Sequence, residues 1–367
     1  MSFIRTTGKL IGLHALQNVV SDSMAIDMGS ASTLIAVRGR GVVIDEPSVV
    51  AVNKITGEVI AFGNEAHKMQ GREARDIAVI APLVDGVVAD FERTRALLDH
   101  FVREARSGLS HFSRRAIMSV ISEVTQVEKR ALLAAAEEAR ISRVYMIEEG
   151  QAAAIGAGVP VNDEHAAAVV DIGGGTTNVA AIISGSIIAS RAQRIGSGDI
   201  DQAIMDRLRR HRGLTIGVQT AERLKLQLSS AIEPEEPNKK INVRGRDVQT
   251  GSPGAVDITA GEVYAITMTI IRRIAEEVRS MLTELAPEVA GDIYERGLIL
   301  TGGGAQLEGL SQYLQRELDL VVKVADDPRF AIVRGLAQLY EEPLLLRRVA
   351  RTEAHPLLDT EATAFET

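Results

Sequence analysis

Residues 169–178 read VVDIGGGTTN: an apolar run ends at Asp171, and a turn with almost no side chains follows it directly. The question is what a carboxylate at the end of a buried strand and a bare turn hold together. Glycine in a turn most often serves only to reach a positive φ. One such stretch by itself is therefore weak evidence for a functional site.

The motif occurs twice in the chain. Residues 24–37 (MAIDMGSASTLIAV) and 168–181 (AVVDIGGGTTNVAA) align without a gap, so that Asp27 matches Asp171. An alternating strand, a glycine turn and another strand follow in both places, which predicts a β-hairpin with a polar, glycine-rich bend. The two hairpins lie about one domain length apart, which indicates an internal duplication.

Two such bends facing each other across a cleft suit a phosphate ligand, because their backbone N–H groups reach phosphate oxygens without interference from side chains. Hydroxyl groups add further donors, on Ser30, Ser32, Thr33, Thr176 and Thr177. Asp27 and Asp171 would repel the phosphates unless a cation lies between them. Mg²⁺ keeps its waters and bridges carboxylate to phosphate, so we expect a hydrated Mg²⁺ at the two aspartates.

A third glycine run follows the same logic. Residues 297–307 read GLILTGGGAQL, which predicts a strand, a glycine turn, and then a helix over 306–318. Such a junction admits a flat ligand or a phosphate close to the backbone. One junction is weak evidence, but three in one chain, two of them paralogous, are hard to explain by chance.

Bulk properties limit the remaining possibilities. A chain of 367 residues is too long for one ordinary core, which predicts two domains or two lobes. The absence of cysteine excludes disulfides, thiolate metal sites and a cysteine nucleophile, and it fits a cytoplasmic protein. The net charge of -8 argues against nucleic acid as a partner. No apolar run is long enough to span a bilayer, and the N-terminus lacks the cleavage site of a signal peptide.

The order of DMGSAST, DIGGGTTN and LTGGGAQL resembles the actin, sugar-kinase and heat-shock chaperone ATPase superfamily. Further segments narrow the resemblance to the MreB family of bacterial actins, over roughly residues 24–340. These segments are DEPSVVAV (45–52), DGVVADF (85–91), TQVEKRAL (125–132), AAAIGAGVPV (152–161), TAERLKLQL (220–228), VRGRDVQTG (243–251) and ERGLILTGGGAQLEGL (295–310).

The resemblance implies an α/β fold of the actin-like, ribonuclease H-like duplicated type, with two lobes and four subdomains. Residues 24–165 would form the first lobe and 166–345 the second, with the nucleotide cleft between them. Residues 1–23 would be a leader that could bind membrane, and 346–367 a flexible tail.

The resemblance also implies ATP and Mg²⁺ as cofactors, with the two repeated motifs as phosphate loops. The residues implied to bind them are Asp27, Gly29, Ser30, Ala31, Ser32, Thr33, Asp171, Gly173, Gly174, Gly175, Thr176, Thr177, Glu222, Lys225, Gly302, Gly303, Gly304 and Ala305. The run 302–304 would face the adenine side. Glu222 and Lys225 would lie near the sugar and base, although the same pair could be an i, i+3 ion pair on a helix surface.

Glu149 is the implied catalytic residue, because in this family a glutamate that ends an acidic pair orients the attacking water. Thr176 would help to hold that water or the γ-phosphate. The alternative is that Glu148 and Glu149 only form a polar start to the helix that follows, where carboxylates suit the helix dipole.

The sequence departs from the family pattern near these residues. Gly150 stands where the family usually has proline, which predicts a looser backbone and a gain in turnover on Gly150→Pro. Ser30 and Ser32 replace the threonine and asparagine of the first loop. We expect nucleotide binding to survive and hydrolysis to be slower or altered, as in a divergent paralogue.

The implied function is an ATP-dependent cytoskeletal filament that organises cell shape or cell-wall synthesis at the inner face of the cytoplasmic membrane. Its partners would be copies of itself, in paired protofilaments, and membrane morphogenesis proteins. Leu109 and Phe112, aided by the N-terminus, would contact the anionic membrane surface, with Arg114 and Arg115 beside the head groups.

Two rival functions come from the same superfamily. A sugar kinase would need a dedicated sugar pocket, and a chaperone would need a peptide-binding domain after the third glycine run. The chain offers no insertion for the first and too few residues for the second. An ATPase or small-molecule kinase that does not polymerise is the remaining alternative.

Overall fold

The computed structural model describes residues 23–106, 115–122, 124–141, 143–160 and 163–350. The strands in these ranges are β1 (Met24–Met28), β2 (Ser32–Val37), β3 (Gly41–Pro47), β4 (Val50–Asn53), β5 (Val59–Phe62), β6 (Ile77–Ile80), β7 (Leu83–Val84), β8 (Val87–Val88), β9 (Arg115–Val120), β10 (Arg143–Glu148), β11 (Ala167–Ile172), β12 (Thr177–Ile183), β13 (Ser186–Gln193), β14 (Leu214–Thr215), β15 (Lys240–Asp247), β16 (Pro253–Thr259), β17 (Leu298–Thr301) and β18 (Val322–Val324).

The helices in the same ranges are α1 (Gly63–Met69), α2 (Phe91–Ala105), α3 (Gln126–Glu138), α4 (Glu149–Gly156), α5 (Gly198–Arg212), α6 (Val218–Leu228), α7 (Ala260–Thr283), α8 (Pro287–Arg296), α9 (Leu310–Leu318), α10 (Ala331–Gln338) and α11 (Pro343–Val349). Two short 3₁₀ helices, Gly303–Gln306 and Pro328–Phe330, join them. Within the part of the chain that is described, no helix combines the length and apolar character needed to cross a bilayer.

Two five-stranded sheets repeat one topology. The first has the order β10-β9-β1-β2-β3 and the second has the order β13-β12-β11-β17-β18. In each sheet, three consecutive antiparallel strands begin with the repeated motif, and two later strands add on in parallel beside the first of the three. The predicted hairpins and the internal duplication therefore both appear in the structure.

Strands β1 and β11, at the centre of the two sheets, are buried on both faces. Their continuous apolar runs predict this burial. All five residues of β1 and all six of β11 are buried. Because side chains alternate along a strand, Met24 and Ile26 enter one core while Ala25 enters another, which lies between the two sheets. Asp27 continues the face of Ala25, so its carboxylate is directed toward the other lobe.

Helices α4 and α10 fill the space between the two sheets. Their backbones touch, because a Cβ at Gly156 would collide with the carbonyl oxygen of Ala331, and one at Gly335 would collide with that of Ala152. Helix α10 also packs on β1, β2 and β9 of the first sheet. The sequence-predicted boundaries assign α10 to the second lobe, and in the structure this helix packs on the first sheet and on α4.

Each large sheet is joined to a smaller one. The sheet β5-β4-β6, with α1, extends the first lobe, and the sheet β14-β15-β16 extends the second. This arrangement corresponds to the four subdomains that the resemblance implies.

The helix predicted over 306–318 begins later than the sequence indicates. The glycine run continues into the 3₁₀ helix, and α9 starts only at Leu310. The reason is Gly309, whose φ of 75° breaks the regular helix before it. The predicted N-terminal leader, the segment with Leu109 and Phe112, and most of the predicted tail lie outside the described residues.

Candidate functional site

A cleft of about 1610 Å³ lies between the two lobes, and both repeated loops line it. The sequence-predicted residues along its wall are Ser30, Ala31, Ser32, Gly174, Gly175, Glu222, Lys225, Gly303 and Gly304. Segments that are far apart in the chain therefore meet at one site, as the order of the motifs implies.

The two loops have the same internal geometry. In the first, the N–H of Gly29 donates to the carbonyl oxygen of Ser32 at 3.1 Å, and in the second the N–H of Gly173 donates to that of Thr176 at 2.8 Å. Each bond closes a tight bend directly after a buried aspartate. The duplication thus extends from the sheet topology to individual backbone hydrogen bonds.

The glycines of the second loop allow the two loops to pack against each other. A Cβ at Gly174 would lie 2.5 Å from the Cβ of Ala31, and one at Gly175 would lie 3.2 Å from the Oδ1 of Asp85. The side-chain-free turn is therefore required by contact between the lobes, in addition to any approach of a ligand. From the sequence alone, the bare turn indicates only the approach of a ligand.

Residues 85–86 support the first loop and were missed by the sequence analysis. The backbone N–H of Gly86 donates to the Oγ of Ser30 at 2.8 Å, so that hydroxyl is already engaged as an acceptor. Asp85 and Gly86 both have positive φ, at 51° and 77°. The Asp-Gly dipeptide between β7 and β8 is a strong turn signal that could have located this support.

Two of the predicted hydroxyl donors are used inside the protein. Thr33 shares a hydrogen bond of 2.9 Å with Ser48, and Thr177 donates to the carbonyl oxygen of Ile195 at 2.8 Å. Both threonines are fully buried. Their alternating positions direct both side chains into the lobes, where they fasten the end of β2 to the hydroxyl of Ser48 and the end of β12 to the backbone of Ile195.

The third glycine run reaches the cleft through only part of its length. A Cβ at Gly302 would collide with the carbonyl oxygen of Ile172, and Ala305 is buried in the core of the second lobe. Gly303 has no atom within 4 Å of an added Cβ. Of the predicted run, Gly303 and Gly304 line the cleft, whereas Gly302 and Ala305 hold the turn against the second sheet.

The two aspartates occupy equivalent places in the two sheets. Asp27 accepts a hydrogen bond of 2.7 Å from Ser119 Oγ on β9, and Asp171 accepts one of 2.8 Å from Thr301 Oγ1 on β17. Ser119 and Thr301 each lie on the strand that runs parallel to the repeated one, and the sequence analysis missed both. The signal was a weaker second match, between IMS at 117–119 and ILT at 299–301.

Burial makes these carboxylates prone to hold a proton. It raises the pKa of Asp27 to about 6, although the hydrogen bond from Ser119 acts in the opposite direction. It raises the pKa of Asp171 to about 7, against the hydrogen bond from Thr301, and the charge of Asp27 raises it further. A cation between the two lobes would favour the ionised form of both.

The donor set fits Mg²⁺ held through its waters. Within the described ranges, no three histidine or acidic side chains come close enough together to hold a metal ion directly. Two buried carboxylates with hard oxygen atoms lie on opposing faces, directly before the two loops. Mg²⁺ typically uses one or two carboxylates together with waters and phosphate oxygens, which is the set that these residues could complete.

Glu149 is the first residue of α4 and is buried, with 8% of its surface exposed. Asn178 Nδ2 donates to Glu149 Oε2 at 2.6 Å. Burial raises the pKa of Glu149 well above its usual range, and the charges of Asp27 and Asp171 add to this effect. The bond to the second lobe and the position beside both aspartates favour a role in the site over a merely polar helix start.

The comparisons with known proteins agree with this geometry. The family model described as MreB/Mbl protein matches residues 21–348. The chain belongs to the MreB/Mbl family. The resemblance found from the sequence motifs is thereby confirmed.

Curated MreB/Mbl relatives match over most of their length. The cell shape-determining protein MreB of Escherichia coli (strain K12) is 40% identical over 328 residues, which are 88% of this chain and 94% of that protein. The cell shape-determining protein Mbl of Bacillus subtilis (strain 168) is 40% identical over 314 residues, 85% of this chain and 93% of that protein.

Solved structures confirm the actin-like fold of this MreB/Mbl chain. The crystal structure of MreB5 of Spiroplasma citri bound to ADP has a TM-score of 0.83 and 31% identity, and covers 90% of this chain and 99% of that one. A MamK double helical filament, at 24% identity and a TM-score of 0.73, shares the fold.

The MreB/Mbl resemblance places Glu222 and Lys225 near the sugar and base. In the structure, Lys225 pairs with Asp201 instead of forming the i, i+3 ion pair with Glu222 that a helix surface would allow. Lys225 Nζ lies 2.6 Å from Asp201 Oδ2 and 3.4 Å from the carbonyl oxygen of Ser197, on and next to α5. An ion pair with Glu222 is not formed. Glu222 and Lys225 both line the cleft, and Asp201 joins them as a residue that the sequence analysis missed.

Gly150 has a packing reason in this MreB/Mbl chain that the sequence interpretation lacked. A Cβ at Gly150 would lie 2.6 Å from the Cβ of Ala180 on β12, so α4 rests directly on the second sheet. This contact argues against Gly150 as a loosening of the backbone, and it gives no support to a gain in turnover on Gly150→Pro.

We expect Gly150→Pro alone to lower both stability and turnover, because its ring carbons would overlap Ala180 and displace Glu149. Overpacking of this kind typically costs about 1–3 kcal/mol. Ala180→Gly in the same chain removes the opposing methyl group and should restore most of the loss. Thermal unfolding and phosphate release would be measured for both variants, and an equally stable single variant would contradict the packing argument.

Proposed function

We propose that this MreB/Mbl chain is an ATPase that forms ATP-dependent filaments and organises cell shape or cell-wall synthesis at the inner face of the cytoplasmic membrane. The observation that carries the proposal is the symmetric pair of loops, each preceded by a buried aspartate on a face directed toward the other lobe. This arrangement is suited to phosphates and a divalent cation, which neither lobe could bind alone.

Solved relatives support the choice of nucleotide. The two Spiroplasma citri MreB5 structures, 31% and 32% identical to this chain, are described as bound to ADP and to AMPPNP. In the proposed complex, the loop residues Ser30, Ser32, Gly174 and Gly175 bind the phosphates. Glu222 and Lys225 bind toward the sugar and base.

Mg²⁺ would neutralise phosphate charge and polarise the terminal phosphoryl group. Asp27 and Asp171 would hold its waters, each carboxylate fixed in place by the hydroxyl of Ser119 or Thr301. Glu149 orients the attacking water from the first turn of α4, and Thr176, buried at the end of its loop, completes that pocket. These residues act by positioning and electrostatics, which dominate phosphoryl transfer.

Filament formation is tested by negative-stain microscopy of the purified protein with ATP and Mg²⁺, with ADP, and with ATP and a chelator. We expect filaments in the first condition and few or none in the third. Phosphate release measured on the same samples separates the two functions. Hydrolysis without filaments at any concentration would favour the alternative, an ATPase or kinase that does not polymerise.

The residues proposed to contact the membrane, Leu109, Phe112 and the N-terminal segment, lie outside the described residues. The sequence supports the membrane contact, because two large apolar residues closely precede Arg114 and Arg115. Each arginine close to an anionic surface contributes about 1 kcal/mol. Many weak anchors repeated along a filament add up to firm binding.

We expect the parent filament to sediment with anionic vesicles, and a Leu109→Ser, Phe112→Ser variant to lose most of this binding. A matched control is Leu344→Ser, which changes a leucine that is 82% exposed at another place on the surface. Polymerisation of all three proteins would be confirmed first. Equal sedimentation of the parent and the double variant would show that the segment is not an anchor.

A further inference from the structure

Asn178 is the last residue of the stretch VVDIGGGTTN. It lies on β12 directly opposite Asp171 in the strand register, and only 1% of its surface is exposed. Its Nδ2 donates to Glu149 Oε2 at 2.6 Å, across the space between β12 and the start of α4. Asn178 is therefore a direct partner of the proposed catalytic carboxylate.

The other end of the same side chain has no partner. The Oδ1 of Asn178 is buried and accepts no hydrogen bond from any described residue. A buried polar atom in this state is costly, and ordered water is the usual explanation for one in a native protein. The hydrogen bond from Nδ2 to Glu149 fixes the orientation of the planar amide. The position of Oδ1 relative to the Glu149 carboxylate is therefore fixed as well.

The duplication provides an independent comparison. In the first copy of the motif, the residue opposite Asp27 in the register is Leu34, which is 1% exposed and packs in the core between the sheets. In the second copy, the residue opposite Asp171 is Asn178. The fold therefore accepts an apolar side chain at this place, and the polar one occurs only in the copy whose side chain meets Glu149.

We infer that Asn178 and Glu149 hold the attacking water together, with the amide nitrogen of Asn178 orienting the glutamate and its amide oxygen accepting one hydrogen bond from the water. This inference rests on the proposed ATP hydrolysis. Asparagine suits the task because one side chain carries both a donor and an acceptor. A leucine at this position would remove both, and a carboxylate would remove the donor and repel Glu149.

The reaction is ATP plus water giving ADP and phosphate. The water oxygen forms a bond to the terminal phosphorus as the bond from that phosphorus to the bridging oxygen breaks, and the electron pair of that bond leaves with ADP. One proton of the water points to Glu149 and passes to it, while the other is held by Asn178 Oδ1. This leaves a lone pair of the water free to point at phosphorus.

Asn178→Leu tests the inference, because leucine is the residue that the first copy of the motif has at the equivalent position, Leu34. We expect kcat to fall about a hundredfold, at the lower end of the effect of a group positioned for proton transfer, with KM and the affinity for ADP almost unchanged. Asn178→Asp, which keeps the shape, is expected to lose kcat as well, because the donor to Glu149 is gone. Circular dichroism and nucleotide titration confirm that each variant is folded.

The decisive measurement is the double variant Asn178→Leu, Glu149→Ala. If the two residues act on one water, the double variant should be no slower than Glu149→Ala alone. A multiplicative loss, parental kcat in both Asn178 variants, or an equal loss of nucleotide affinity would each overturn the inference. If Glu149→Ala itself hydrolyses at the parental rate, the proposed catalytic assignment fails instead, and the inference falls with it.

Discussion

Replacing Glu149 by alanine is expected to slow ATP hydrolysis by about a hundredfold or more, while nucleotide affinity changes little. The reason is the position of the carboxylate. Glu149 is buried at the first turn of α4, is bonded to Asn178, and lies close enough to Asp27 and Asp171 for their charges to raise its pKa. It does not line the open cleft, so its loss should not remove a contact with the bulk of the nucleotide.

Glu149→Gln is the matched variant, because it preserves volume and hydrogen bonding but lacks the charge. Phosphate release would be measured under saturating ATP and Mg²⁺, and ADP affinity by titration. The raised pKa of Glu149 has a further consequence: the parental rate should rise with pH as the carboxylate ionises, and this dependence should be weaker in the glutamine variant. Equal turnover by the parent and both variants would refute the catalytic assignment.

Replacing Asp171 by asparagine is expected to abolish most of the gain in nucleotide affinity that Mg²⁺ provides, because one of two carboxylates facing the cation is lost. Titration of nucleotide with Mg²⁺ and with a chelator measures that gain. The asparagine keeps the shape and can still bond to Thr301, so the loss would report the charge. Asp171→Ala should have the same effect on the metal. Affinity that is unchanged in Mg²⁺ would exclude Asp171 from the metal site.

Asp171→Asn should also stabilise the folded, nucleotide-free protein at neutral to basic pH. Burial raises the pKa of Asp171 from 3.8 to about 7, so the folded state binds this proton more tightly than the unfolded state does. The stability that the proton contributes is complete below about pH 4 and is lost as pH rises through 7. The unfolding temperature should therefore fall less steeply between pH 5 and pH 8 for Asp171→Asn than for the parent.

The sequence predicted those parts of the site that are formed by backbone groups and by residues close together in the chain. The two repeated motifs predicted the hairpins, and the internal match of Asp27 with Asp171 placed the carboxylates correctly relative to each sheet. Both results follow from hydrogen-bond patterns that the chain forms with its near neighbours. Residues such as Thr33 and Thr177 could not be assigned in the same way, because alternation alone does not show which face of a strand meets the cleft.

Contacts between distant segments were the part that the sequence could not supply. Ala180 lies thirty positions from Gly150, and nothing in either neighbourhood shows that they touch. Ser119 and Thr301 are ordinary residues in buried strands that the sheet order brings to the two aspartates, and the packing of α4 against β12 brings Asn178 to Glu149. Gly150 in particular suggested a flexible backbone, whereas the structure gives it a steric role.

The contact between α4 and α10 restricts how the two lobes can move. Each helix places a glycine against a carbonyl oxygen of the other, Gly156 on Ala331 and Gly335 on Ala152. Sliding along either axis would drive those oxygens into the flanking side chains, and separation would expose the core between the sheets. Rotation about the crossing point preserves both contacts. Opening and closing of the cleft should therefore be a twist of one lobe against the other, with the two glycine contacts as its fixed centre.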